Sequence, residues 1–135
     1  MDFLLYLTPT GQQIIDSIIK AKFNVRENAP LCRVHKEIYG YVFKKDFVVC
    51  ITNIKNTTNL VSYYVNETVH HEAVHVAQTC KRKPLGIKPT LSFEKMNNVN
   101  RSVKYNKDAF TLEVEAYYLE DKPEQILPYV QKYCF

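Results

Sequence analysis

Residues 60–81 read LVSYYVNETVHHEAVHVAQTCK, and their reading decides the fold. Leu60, Val61, Tyr64, Val65, Val69, Ala73, Val74, Val76 and Ala77 recur mostly at spacings of three, four or seven, which predicts a long helix from about Leu60 to Lys81. Pro84 and Gly86 end it. Inside it lies His71-Glu72-Ala73-Val74-His75. Residues four apart on a helix share a face, one turn above the other. Two imidazoles so placed can converge on one metal ion, and Glu72 beside them is placed to accept a proton from metal-activated water rather than to ligate. Two histidines and a glutamate on a helix flanked by Val69, Val74, Val76 and Ala77 are costly to bury unless a cation satisfies them. One Zn2+ per chain is the expected cofactor, with His71 and His75 as ligands and Glu72 as catalytic base.

Working outward, the segment before this helix is rich in β-branched and aromatic residues. Val34, Ile38, Tyr39, Tyr41, Val42, Phe43, Phe47, Val48, Val49 and Ile51 predict two or three short antiparallel strands, turned at Lys44-Lys45-Asp46. Asn53 to Asn59 reads as a polar turn. Earlier still, Ile14, Ile15, Ile18, Ile19 and Ala21 predict a helix over Thr10–Phe23, with Thr10 as its cap. Beyond the long helix, Lys83–Lys104 is expected to be irregular, and its length makes it a candidate functional segment. Helices are expected from about Asn106 to Glu120 and from Pro123 to Tyr133, the latter opening on a proline in a favourable first position.

A catalytic zinc takes three protein ligands and keeps one position open. The third ligand must come from elsewhere in the chain. The helix over 106–120 offers Glu113 and Glu115, which lie about 200° apart. Glu113 shares a face with Ala116, Tyr117 and Glu120, whereas Glu115 lies beside Leu112 and Leu119. At Glu113-Val114-Glu115-Ala116 the chain resembles the gluzincin class of zinc metallopeptidases, above all its minimal members. There a glutamate ligand follows the HExxH helix in an E-x-x-A-[DN] pattern. The resemblance covers about a fifth of the chain and assigns the ligand role to Glu113, with Glu115 the competitor. Tyr117 stands where the pattern has an acidic or amide residue, the group that supports a histidine ligand.

The resemblance implies a zincin-like α+β domain over residues 1–135: a small antiparallel sheet packed on the HExxH helix, with further helices C-terminal to it. It also implies hydrolysis of peptide bonds, with a peptide or protein substrate added as a strand to the edge of that sheet. Tyr105, Tyr117, Tyr118 and His35 are candidates to stabilise the oxyanion. Gln78, one turn beyond His75, is expected to cap a neighbouring backbone group, with a hydrogen bond near the site as the alternative. His70 points away from His71 and is expected to be an ordinary polar residue.

Composition is that of a globular domain, with 46% hydrophobic and 24% charged residues. The net charge is only +4, and its one basic cluster, Lys81-Arg82-Lys83, suits a helix C-terminus better than a nucleic-acid surface. The first residues lack the pattern of a signal peptide and no run spans a bilayer, so no membrane partner and a soluble, cytoplasmic protein are expected. Cys32, Cys50, Cys80 and Cys134 form no CxxC pair. Free buried thiols are the expectation in that compartment, and a Cys80–Cys134 staple is the alternative. Three rivals remain at this level: a catalytically silent zincin-fold metal-binding or interaction protein, a small nucleic-acid-binding protein using Lys81-Arg82-Lys83, and a peptidase silenced by its own 83–104 segment.

Overall fold

A computed structural model describes residues 1–104 and 107–135, the side chain of Lys107 excepted. After a 3-10 turn over Asp2–Tyr6, helix α1 spans Pro9–Lys20. Its cap is Thr8, not Thr10: the Gly11 N–H donates to Thr8 Oγ at 3.0 Å, and Pro9 takes the first helical position, where its missing N–H costs nothing. Ile14, Ile15 and Ile18 form its buried stripe.

Three strands follow: β1 (Asn24–Glu27), β2 (Gly40–Phe43) and β3 (Asp46–Val49), in the order β1-β3-β2. The β2–β3 pair is the expected antiparallel hairpin, turning through Lys44 at φ 55°. β1 was not expected, and it runs parallel to β3, with Val25 opposite Phe47. The sheet is therefore mixed rather than antiparallel. A parallel pair needs a crossover connection, and residues 28–45 provide it. Helix α2 (Pro30–Val34) and then β2 carry the chain past the central position before β3 returns into it. Ile51, expected at the end of a strand, opens helix α3 (Ile51–Thr57). Ile51 and Ile54 lie three apart, and both are buried.

Helix α4 (Val61–Lys81) is the central element, with α1, α6 and α7 packed around it and the sheet laid across it. Val65, Val69, Ala73, Val76 and Ala77 are fully buried. It ends on Arg82 in the left-handed conformation, whose N–H donates to Gln78 O at 2.8 Å. The stretch expected to be irregular contains helix α5 (Phe93–Ser102), capped by Ser92, whose Oγ accepts from the Lys95 N–H. A 3-10 turn over Lys107–Ala109 leads into α6 (Phe110–Leu119), and α7 (Pro123–Cys134) closes the chain. The expected helix start at Asn106 falls outside the described residues.

The cysteines are not free thiols. Cys32 pairs with Cys50, tying α2 to the end of β3, and Cys80 pairs with Cys134, tying the last turn of α4 to the end of α7. Their Cα atoms lie 5.5 and 5.2 Å apart, within the span a disulfide requires. Among the described residues no helix is long and apolar enough to cross a membrane.

Candidate metal centre

The α4 ridge carrying His71 and His75 faces α6, and Glu113 comes from the first turn of α6 to meet both imidazoles. Glu113 Oε2 lies 3.3 Å from His71 Nε2, and Glu113 Oε1 lies 2.5 Å from His75 Nε2. One ligand atom from each of the three residues falls within 4.8 Å of the others. A tetrahedral ion at zinc's usual ligand distances separates its ligands by about 3.3 Å. Two imidazole nitrogens and a carboxylate at this spacing fit such an ion. His71 is buried, and His75 and Glu113 are nearly so. Burial works against charging either imidazole, but the Glu113 carboxylate outweighs it and raises both histidines. Burial likewise opposes the Glu113 charge, yet the two imidazoles hold it well below the usual carboxylate range.

Each histidine is gripped from behind. Glu120 Oε1 lies 2.8 Å from His71 Nδ1. A carboxylate only accepts, so His71 Nδ1 carries a proton toward Glu120, which leaves Nε2 as the nitrogen that could give its lone pair to a metal. On His75, Nδ1 lies 2.7 Å from Gln78 Oε1. Gln78 also donates through Nε2 to Leu112 O at 3.0 Å, so it both caps a backbone carbonyl and touches the site. Glu120 was not anticipated. The pattern places the supporting group at Tyr117, four residues after Glu113, but a phenol stands there. Tyr117 instead packs edge-on against the His71 ring, centroids 4.5 Å apart, and its hydroxyl pairs with Ser102 Oγ at 2.8 Å. The signal was present in the helical face shared by Glu113, Ala116, Tyr117 and Glu120.

Glu72 is buried and lines the same cleft as His71, His75 and Glu113. Burial pushes its carboxyl above the ordinary value, and the neighbouring imidazoles pull it back. Glu115, the competing ligand, turns the other way. It is 0% exposed and belongs to a separate hydrogen-bond cluster, described below. Of the oxyanion candidates, Tyr117 lines the cleft. His35 caps α2, 3.6 Å from Glu37, and Tyr118 packs on the hydrophobic core beneath Lys122. Tyr105 lies outside the described residues. His70 is buried and meets the same residue as His71 through its backbone, with Nδ1 2.9 Å from Glu120 O.

The cleft has a volume of about 1200 Å³. β2 and the residue before it, Tyr39, form one wall, and α5 and α6 form the other. β2 approaches α4 closely because residue 40 is glycine: a Cβ there would sit 2.7 Å from Thr68 Cγ2 and 2.8 Å from Val48 O. With β3 at the centre of the sheet, β2 keeps one unpaired edge among the described residues.

Residues 3–135 match the family described as a domain of unknown function, DUF8637. The chain belongs to the DUF8637 family. No curated protein and no solved structure matches this DUF8637 chain.

Proposed function

We propose that this DUF8637 protein is a zinc-dependent metallopeptidase of gluzincin type, with His71, His75 and Glu113 as ligands and Glu72 as general base. The convergence of one atom from each of the three ligand residues within 4.8 Å, beside a buried Glu72, carries the reading. A zinc ion held there supplies Lewis acidity toward the scissile carbonyl and lowers the pKa of water toward neutrality. Glu72 takes the proton from the attacking water and returns it to the leaving amine. Glu120 and Gln78 keep Nδ1 of each imidazole protonated, which would leave Nε2 of each as the ligating atom. Tyr117 is the residue on the cleft wall suited to steady the developing oxyanion. An extended peptide lies along the unpaired edge of β2, held through its backbone.

The two disulfides favour an oxidising compartment over the cytoplasm expected from the sequence. The reading is tested by elemental analysis of untagged protein, wild type beside His71→Ala, followed by mass spectrometry of a peptide library incubated with the zinc-loaded protein. One zinc per chain, lost in the variant, together with new peptide termini, supports it. Absence of metal after zinc is offered overturns the metal centre. Bound zinc with no cleavage beyond that given by Glu72→Gln leaves a silent metal-binding domain.

A further inference from the structure

Glu115 is a fully buried carboxylate surrounded by donors. Its Oε1 accepts from Leu85 N–H and from Gln78 Nε2, both at 2.8 Å. Its Oε2 accepts from Gly86 N–H at 2.8 Å and Ile87 N–H at 3.2 Å. Three of the four donors belong to the segment that follows α4, and by themselves they would make Glu115 a clamp for that segment. The fourth leads to the metal centre. Gln78 stands between Glu115 and His75, and a side-chain amide has one accepting end and one donating end. Glu115 can only accept, so it holds the NH2 end of Gln78, and Leu112 O holds the same end. The carbonyl end is thereby fixed toward His75 Nδ1. Were the amide reversed, an NH2 group would face His75 Nδ1, which could then carry no proton, and the proton the imidazole kept would sit on Nε2, the atom that faces Glu113.

We propose that Glu115 is a positioning residue for His75, acting through Gln78 to set the imidazole tautomer that ligates metal. The proposal rests on the metal-centre reading above for its consequence, but not for its geometry. His71 is held by a carboxylate directly and His75 by a carboxylate one amide removed. The same contacts join the tautomer of His75 to the seating of the Leu85–Ile87 backbone beside the cleft.

The test is a swap of the two polar ends. In Gln78→Glu two carboxylates face each other. In Glu115→Gln a single accepting atom must serve four donors, so the contact to Gln78 or to the segment is lost. In the double variant Gln78→Glu/Glu115→Gln the new carboxylate at 78 still accepts from His75 Nδ1, and the new amide at 115 donates to it. Two quantities are read: the zinc dissociation constant by competition with a chromogenic chelator, and the proton on His75 Nδ1 by 1H–15N NMR of metal-free protein, with the His71 Nδ1 proton as internal reference. Glu115→Gln is expected to weaken zinc about 10- to 100-fold, the range usual for groups behind a metal ligand, and to shift His75 away from the Nδ1–H form. Gln78→Glu keeps an acceptor on Nδ1 and so keeps that form, but is expected to weaken zinc through the repulsion between its carboxylate and Glu115. The double variant is expected to recover most of both.

A Glu115→Gln protein with wild-type tautomer and affinity overturns the proposal, leaving Glu115 as a clamp only. So does a double variant that binds zinc no more tightly than Gln78→Glu alone, whether or not Glu115→Gln folds. Wild-type protein that binds no zinc defeats the metal reading instead, and the tautomer measurement still judges this proposal.

Discussion

Glu120 Oε1 sits 2.8 Å from His71 Nδ1, seven residues along α6 from the carboxylate of Glu113 that meets the other nitrogen of the same ring. Two turns of one helix thus hold both faces of one imidazole. Lys95 of α5 lies 3.7 Å from Glu120 Oε2 and donates to Tyr117 O, which steadies the carboxylate from outside. Glu120→Ala is expected to weaken zinc about 10- to 100-fold with the fold retained, and Glu120→Gln, which keeps an acceptor, to weaken it less. A chelator-competition titration checks this. Unchanged affinity in Glu120→Ala would show that the contact does not orient the ligand.

Glu72 separates binding from chemistry. It makes no contact that the three ligand atoms need, so Glu72→Gln is expected to bind zinc as tightly as wild type. If it is the general base, turnover falls about 10²- to 10⁴-fold, the usual contribution of positioned acid–base catalysis. The measurement pairs zinc stoichiometry with cleavage of whichever peptide the wild type hydrolyses. A zinc-loaded Glu72→Gln protein with wild-type rate removes the base from the mechanism.

The metal helix was legible because its apolar spacing and its two histidines obey the same period. Glu113 was separable from Glu115 by the roughly 200° between them, and the structure puts one beside the imidazoles and the other in the core. Glu120 was legible only as a member of the Glu113 face and not as a partner of His71, because the motif places the supporting carboxylate four residues after the ligand and this chain places it seven after. β1 was hidden for a different reason. Asn24-Val25-Arg26-Glu27 carries one apolar residue, and it becomes a strand through backbone pairing with Asp46–Val49, which no local pattern announces. Ile51 misled in the opposite sense: a β-branched residue after a strand suggested more strand, while its spacing of three from Ile54 belonged to a helix. The disulfides depend on distances between α2 and β3, and between α4 and α7, which only packing sets.

Gly40 sets how closely β2 lies on the metal helix. A methyl group there would meet Thr68 Cγ2 and the Val48 carbonyl at under 3 Å, and Glu72 Cγ at 3.4 Å. Gly40→Ala is expected to cost about 1–3 kcal/mol, the range for overpacking a close contact, and to slow catalysis by moving the cleft wall beside Glu72. Urea unfolding of the zinc-free variant measures the first effect. A stability within a few tenths of a kcal/mol of wild type would mean that the strand shifts freely.

His70 predicts an acid sensitivity of the fold. Its Nδ1 donates to Glu120 O, and its Nε2 is buried without a partner among the described residues. Burial lowers its pKa, opposed by that backbone contact. Below the ordinary histidine value of about 6.5 the unfolded chain takes up a proton that the folded chain refuses, so stability falls as pH drops from there toward the lowered folded value. The slope is at most about 1.4 kcal/mol per pH unit for one group. His70→Asn keeps a donor toward Glu120 O and removes the titration. Unfolding with chelator present, from pH 7 to pH 5, should show a shallower loss in the variant, and parallel curves would exclude His70 as the source.

The disulfides set how far the chain tolerates reduction. Cross-linking removes loop-closure freedom from the unfolded chain, more for longer loops. For the separation of 54 between Cys80 and Cys134 the chain-entropy relation gives about 4 kcal/mol, and for the separation of 18 between Cys32 and Cys50 about 3 kcal/mol. Sequence distance therefore ranks Cys80–Cys134 as the stronger staple. It also has a local consequence, because Cys80 lies two residues beyond Gln78 at the end of the metal helix. Cys134→Ser is expected to lower the urea midpoint by about 2 M for a slope near 2 kcal/mol per molar, and Cys32→Ser by somewhat less. Zinc affinity should fall in Cys134→Ser and hold in Cys32→Ser, since only the first bond anchors the turn next to His75 and Gln78. Identical midpoints with and without reductant in the wild type would show that neither bond supports the fold.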